Sequence, residues 1–487
     1  MRTSNYKLPI LSALLALALG SCASNPGVRL DSHARWAPLP AEPTVVTAYP
    51  STYEPAPSGD IAIVNATILT AAGPRIERGR IVVRANKISA VGMDVAIPEG
   101  ARVIDAAGKW ITPGIIDGHS HVGGVSIPYE TLADGLNELS DPNTAQIYIE
   151  NALWAQSPEF PRVRQAGVTT VLVLPGSGNI FGGHGVVLKN VTAVTVQGMK
   201  FPDAPYSIKM ACGENPTRVY GPKGRAPMTR AALYSAIRAA FASATEYSKH
   251  WDDYRQKIAR GEKAEAPKRD LQLEALVGIL KGEIRIQMHC YRSDDMADML
   301  DIGHEFNFKV AAFHHATEAF KIIPLLKENG VCALTWGGPD WGGFKMEAYD
   351  HTALEAAMIE RAGGCVAIVS DSAQTEQHLN LDAARSMLAG NRAGLGITFE
   401  EAIRWITLNP AKAIGIDGRT GSLEVGKMAD LVIWNRDPFS VYAYPDRVLI
   451  DGVEVYRRAD PAYSRPSDFE LGQVGQRHEQ PLQRQEP

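Results

Sequence analysis

The rhythm of hydrophobic and polar positions changes several times along the chain. Residues 8–19 form an apolar run behind Arg2 and Lys7. That run is too short to cross a bilayer, which needs about 20 apolar residues, and it has the form of an export signal's central region. Residues 23–59 carry Pro, Ala and Ser without periodicity, which predicts a flexible tether. Between 60 and 112 short apolar runs alternate with turn residues: Ile61-Ala62-Ile63-Val64, Gly79-Arg80-Ile81-Val82-Val83 and Ile88-Ser89-Ala90-Val91-Gly92. This is strand spacing. The same texture returns at 417–458, in Asp430-Leu431-Val432-Ile433-Trp434 and Val448-Leu449-Ile450-Asp451-Gly452. Neither stretch is long enough for its own core, so the pattern predicts one small β-domain paired from both chain ends. Residues 459–487 are polar, with several Gln, Arg and Pro, and predict disorder.

Residues 113–416 behave differently. Buried strand-like runs alternate with helical ones: Thr169-Thr170-Val171-Leu172-Val173-Leu174, Ser207-Ile208-Lys209-Met210, Ile284-Arg285-Ile286-Gln287-Met288-His289, Lys309-Val310-Ala311-Ala312-Phe313 and Val366-Ala367-Ile368-Val369. Thr398-Phe399-Glu400-Glu401 has capping-box form, which predicts a helix start. Residues 228–282 are charged and helical in texture and read as an insertion. The alternation suits a (β/α)8 barrel or a doubly wound sheet, and the pattern alone does not separate them.

Composition narrows the function classes. The net charge of −5 gives no basic field, so nucleic acid is excluded as a partner. Of the five cysteines, Cys22 ends the segment Leu19-Gly20-Ser21-Cys22, which resembles the lipobox of bacterial lipoproteins. The resemblance implies a signal peptide over 1–22 and a lipid on Cys22. It also implies a place on the periplasmic face of a membrane reached through that anchor only. Ala23, where such proteins often carry an Asp for inner-membrane retention, points to the outer membrane. Cys212, Cys290, Cys332 and Cys365 lie in or beside apolar runs at no metal-site spacing. They read as buried thiols acting as small hydrophobes, although an oxidising compartment permits disulfides.

The chemistry concentrates at strand ends. Gly114-Ile115-Ile116-Asp117-Gly118-His119-Ser120-His121 is an apolar strand ending in two histidines one residue apart. Residues i and i+2 of a strand share a face, so both imidazoles can reach one metal ion. The same grammar recurs: His289 ends one run, His314 and His315 another, and Asp371 follows Val366-Ala367-Ile368-Val369-Ser370. In a barrel all these ends meet on one face. His33, His250 and His478 lie in the tails or the insertion and read as solvated.

These stretches resemble the amidohydrolase superfamily, in its imidazolonepropionase-like branch. Gly167-Val168-Thr169-Thr170-Val171, His315-Ala316-Thr317-Glu318, Ser370-Asp371-Ser372, Thr407-Leu408-Asn409-Pro410-Ala411-Lys412 and Gly421-Ser422-Leu423-Glu424-Val425-Gly426-Lys427-Met428-Ala429-Asp430-Leu431 also carry the likeness. It covers roughly 60–458. The resemblance implies a (β/α)8 TIM barrel beside a small β-sandwich built from both chain ends. It also implies a divalent metal centre of one or two ions, most simply Zn²⁺, though nitrogen and oxygen ligands also suit Mn²⁺, Fe²⁺ or Co²⁺. His119, His121, His289, His315 and Asp371 fit the ligand positions, with His314 a neighbour. Lys209 fits a bridging lysine, carboxylated in many relatives, and Glu214 is the alternative carboxylate. Asp371 is the expected general base towards a metal-activated water. For substrate contacts, His184, Arg218, Tyr220, Tyr291 and Lys345 are candidates, with Trp336 and Trp341 in a Gly-rich wall. The reaction implied is cleavage of a C–N bond in a small amide, lactam or dipeptide-like compound. A prolidase-like or carboxypeptidase-like peptidase is the enzymatic alternative, and a non-catalytic scaffold on the same barrel the other. A homo-oligomer is compatible with either.

Overall fold

A computed structural model describes residues 49–125, 135–338, 345–460 and 463. Its strands, in chain order, are β1 (Ile61–Ile68), β2 (Ile76–Arg84), β3 (Lys87–Gly92), β4 (Arg102–Asp105) and β5 (Trp110–Pro113), then β6 (Ile115–Ser120), β7 (Val168–Val173), β8 (Phe181–Lys189), β9 (Ser207–Ala211), β10 (Arg285–Cys290), β11 (Val310–His315), β12 (Cys332–Thr335) and β13 (Cys365–Ile368), and finally β14 (Leu431–Trp434), β15 (Pro445–Ile450) and β16 (Val453–Arg457). They sort into two eight-stranded sheets.

The first sheet joins the chain ends. Its order is β16-β15-β14-β5-β1-β2-β3, with β4 also on β1. The join is the antiparallel pairing of β14 with β5, Leu431 opposite Pro113 and Trp434 opposite Trp110. Alternate residues of β1 and β2, Ile61, Ile63, Ile81 and Val83, meet Leu431, Ile433 and Leu449 in a core of their own. That is the period-two signature of the sequence converted into packing.

The second sheet is a nearly closed barrel in the order β13-β12-β11-β10-β9-β8-β7-β6. Strands β6, β7, β8 and β9 are buried at every position, as expected of strands covered on both faces. The two edge strands are tied beyond their ends, where the Asp371 N–H donates to the His119 carbonyl at 3.0 Å. The barrel departs from the expected all-parallel (β/α)8 pattern at β8, which runs antiparallel to both β7 and β9. The reason is chain length: only residues 174–180 connect β7 to β8, too few for a crossover, which takes a dozen or more. The helices Arg230–Ala259 and Leu271–Leu280 fill the region read as an insertion, and Leu233, Ile237, Phe241, Ala244 and Trp251 form the buried stripe of the first.

Two findings correct the sequence reading. The four internal cysteines are not free thiols: Cys212 pairs with Cys290 and Cys332 with Cys365. Spacings of 78 and 33 residues hide such pairs from a sequence, whereas strand register makes them neighbours, Cys332 lying opposite Cys365. The segment before β1 is also fastened from Tyr49 onwards. Thr52 donates to Gln197 O at 3.0 Å, and the Tyr53 hydroxyl to Asp451 at 2.6 Å. Cys22, His33, Trp341 and His478 lie outside the described residues. Among those residues no helix is long and apolar enough to cross a membrane.

Candidate metal centre

The end of β6 presents His119 inward, fully buried, with His121 just beyond it. The loop after β13 brings Asp371 to both. Its φ of +58° is left-handed, a conformation Asp tolerates better than most residues. Asp371 Oδ1 lies 3.1 Å from His121 Nε2 and 3.4 Å from His119 Nε2. Ligand atoms of these three residues all lie within 4.8 Å of one another. The other ring nitrogen of His121, Nδ1, sits 2.9 Å from the Leu174 carbonyl. A carbonyl only accepts, so Nδ1 carries the proton and, in the neutral ring, Nε2 offers a lone pair. That lone pair faces a carboxylate oxygen, an arrangement that calls for a shared proton or cation.

His289 on β10 and His315 at the end of β11 stand side by side, ring centroids 4.6 Å apart, and His315 is 5.0 Å from His119. His315 holds φ +66°, a left-handed turn that swings its ring towards the same point. Both rings are buried, yet neither nitrogen of His289 nor Nδ1 of His315 has a hydrogen-bond partner. Leaving such groups unsatisfied costs roughly 1–3 kcal/mol each, so their placement needs a ligand to justify it. Burial first, and neighbouring cationic or imidazole groups second, hold His119, His289 and His315 well below the ordinary histidine range. Neutral imidazoles are the form metal binding requires.

Lys209 is buried on β9, its Nζ 3.0 Å from His119 Nε2 and 3.2 Å from the Pro175 carbonyl. Burial pushes its pKa down to about 8, with Asp371 pulling the other way. The Glu214 N–H donates to Glu347 at 2.7 Å. Its carboxylate, among the described residues, makes no hydrogen bond to the cluster. Gly213 before it has φ +72°, and a Cβ there would lie 2.5 Å from Glu347 Oε2, so this turn demands glycine.

The substrate candidates divide. Tyr291 packs its ring 4.5 Å from that of His289, and Lys345 donates to its hydroxyl at 2.5 Å. Trp336 lies against His315 at 4.4 Å. Arg218 is exposed, with its charge felt at Lys345 and His289. Tyr220 is committed elsewhere: its hydroxyl donates to the Asp141 carbonyl at 2.8 Å and accepts from Asn179 at 3.0 Å. His184 lies in register with Ile208, one residue out of phase with inward Lys209, and stacks on Tyr148 at 4.1 Å. The structure does not bring it to the cluster.

Three supporting residues had no assigned role in the sequence. Asp117 accepts from the His119 N–H at 3.0 Å, the Ser370 N–H at 3.3 Å and the Ser370 hydroxyl. It thereby clamps the ends of β6 and β13. Glu376 accepts from Ser120 at 2.8 Å. Burial raises both carboxyls, that of Asp117 to about 7. Asp117 and Ser370 each sit beside a ligand in motifs already visible, which was the available signal.

The orphaned imidazoles and the facing lone pairs fit a divalent ion held by nitrogen and oxygen. The amidohydrolase family model matches residues 280–455. The chain is 33% identical over 398 residues to the amidohydrolase TasK of Hapsidospora irregularis, covering 77% of this chain but only 39% of that protein; it therefore spans about two-fifths of that relative's length. It is 26% identical to the imidazolonepropionase of Rhizobium meliloti (strain 1021), covering 76% of this chain and 89% of that one. Among solved structures, the amidohydrolase from Thermotoga maritima MSB8 superposes with a TM-score of 0.74 at 33% identity, over 82% of this chain and all (100%) of that one. With its histidines and aspartate gathered at the barrel's strand ends and a likeness of this degree over 82% of its length, the chain belongs to the amidohydrolase family, hydrolases that act on carbon–nitrogen bonds.

Proposed function

We propose that the chain is a metal-dependent hydrolase of small amides, lactams or dipeptide-like compounds, with Asp371 as general base. The convergence of His119, His121 and Asp371 within 4.8 Å carries the reading. His289, His315 and Lys209 complete the ligand set, and the burial of Lys209 favours the neutral amine that a carboxylated lysine requires. When bound, a divalent ion such as Zn²⁺ supplies Lewis acidity, polarising the scissile carbonyl and acidifying water. Asp371 accepts the proton of the attacking water and delivers it to the leaving nitrogen, a poor leaving group until protonated. Trp336 and Tyr291 wall the cluster and exclude bulk water. Lys345 and Arg218 favour a substrate carrying a carboxylate, which keeps the dipeptidase-like reading alive as the second one.

The setting belongs to the same proposal. Two disulfides support an oxidising compartment, in line with export over 1–22 and lipid attachment at Cys22 on the periplasmic face of the outer membrane. The separate apolar core of the terminal sheet supports a sandwich built from 60–112 and 417–458 beside a hydrolase unit over 113–416. The test is metal content and hydrolysis of a panel of dipeptides, N-acyl amino acids and lactams. The purified chain is compared with His119→Ala/His121→Ala. Loss of both metal and turnover is expected; turnover surviving in the variant would overturn the site. Cys22→Ser is expected to move the chain from the membrane to the soluble fraction.

A further inference from the structure

A neutral histidine ligates through one nitrogen, and the other nitrogen's proton decides which. For His119 the structure traces that proton. Gln287 is fully buried on β10, and its side-chain nitrogen donates to the Ala413 carbonyl at 3.2 Å. The carbonyl only accepts, so the amide is oriented: its oxygen faces His314 Nε2, at 2.7 Å. An amide oxygen also only accepts. His314 therefore carries its proton on Nε2 and leaves Nδ1 as a lone pair. That lone pair meets His119 Nδ1 at 3.0 Å. One of two facing ring nitrogens must donate, and it has to be that of His119. A doubly protonated His314 would need a carboxylate at this fully buried position, and neither of its nitrogens touches one among the described residues. On the other side of His119, the Lys209 amine lies 3.0 Å from Nε2. Its N–H groups can donate to Nε2 in the tautomer that His314 imposes, so this contact agrees with that assignment. The opposing contact, Asp371 at 3.4 Å, is longer.

We infer that Gln287 and His314 are positioning residues that lock His119 in its Nδ1–H tautomer and so turn Nε2, as a lone pair, towards the metal centre. His314 is thus more than a bystander of His315: register pairs it with inward-facing His289, and its ring lies 4.7 Å from that of His119. The chain Ala413–Gln287–His314–His119 is a second shell made only of neutral groups, which orients the ligand without adding charge. Outer-shell partners of this kind typically change metal affinity about 10–100-fold when removed. The inference rests on the metal-centre reading for its consequence, but not for the tautomer.

The experiment has two arms. Ring ¹⁵N shifts of the metal-free full-length chain, with His119→Gln and His314→Gln used for assignment, are expected to show His119 protonated on Nδ1 and His314 on Nε2. Zn²⁺ affinity by chelator competition is expected to fall about 10–100-fold in Gln287→Leu and in His314→Phe, with circular dichroism unchanged. A His119 protonated on Nε2, or a Gln287→Leu chain binding Zn²⁺ as wild type does, overturns the inference. A wild-type chain that binds no Zn²⁺ overturns the metal-centre reading instead, and the ring shifts still decide the tautomer.

Discussion

The Cys212–Cys290 disulfide ties the end of β9 to the end of β10, one residue beyond His289 and three beyond Lys209, and the loop it closes contains the whole helical insertion. Its effect on stability follows from loop length. Cross-linking removes chain entropy of about 2.1 + 1.5R ln n cal/mol/K. A separation of 78 residues then corresponds to about 4.5 kcal/mol at 25 °C, and the 33 residues of Cys332–Cys365 to about 3.7 kcal/mol. These are ceilings, because the unfolded chain keeps some structure. The perturbation is Cys212→Ala/Cys290→Ala; alanine is chosen because both sites are buried and a serine hydroxyl would be left unsatisfied. Denaturant unfolding, followed by two probes with coincident transitions, is expected to show a loss of about 3–4.5 kcal/mol. Reductant opens both disulfides in the wild type but only Cys332–Cys365 in the variant, so it is expected to cost the wild type more, by about the difference between the two unreduced proteins. Zn²⁺ affinity is expected to weaken in parallel, since both strand ends carrying ligands lose their staple. Thiols from these four cysteines titrating in unreduced, denatured wild type would refute the reasoning outright. So would a loss below about 1 kcal/mol, the scale of an ordinary point substitution.

Three further outcomes follow from the geometry. Asp371→Asn keeps shape but removes the proton acceptor, so kcat is expected to fall about 10²–10⁴-fold; steady-state kinetics within tenfold of wild type would reject its role as base. Lys189, fully buried between Asp430 at 2.9 Å and Asp451 at 3.0 Å, joins the barrel to the terminal sheet. Lys189→Met is expected to cost about 3–5 kcal/mol in urea unfolding, and adding Asp430→Asn and Asp451→Asn is expected to recover much of it. No recovery would mean that the buried charges were not the cause. For Lys209 the folded pKa is lowered to about 8 from 10.5. Between these values the unfolded chain binds a proton that the native chain lacks, so stability rises with pH across that window. Measured on metal-free protein, the wild-type advantage relative to Lys209→Met is expected to grow by roughly 3 kcal/mol from pH 8 to 10.5; a flat difference would show the amine to be solvated.

What the sequence disclosed and what it hid separate along one physical line. His119, His121, His289, His315 and Asp371 were legible because each ends an apolar run, and barrel topology carries all strand ends to one face. No side-chain geometry was needed for that step. Strand β8 was not legible: Gly182-Gly183-His184-Gly185 reads as a turn, yet the chain passes through it extended and fully buried. Glycine propensity lost to the β7 and β9 partners on either side, as strand propensity often does to context. This is why His184 reads from the sequence as a substrate contact, whereas its register sets it against Tyr148. The disulfides and the Gln287–His314–His119 chain were hidden for a deeper reason. Each depends on which atoms of non-adjacent residues face one another, and that is settled by register between strands. A one-residue slip would reverse every facing. Periodicity therefore identified the elements that bear the chemistry. Register then set His314 beside inward-facing His289, where it holds His119 in place, and the left-handed backbone of His315 turned its ring to the same centre.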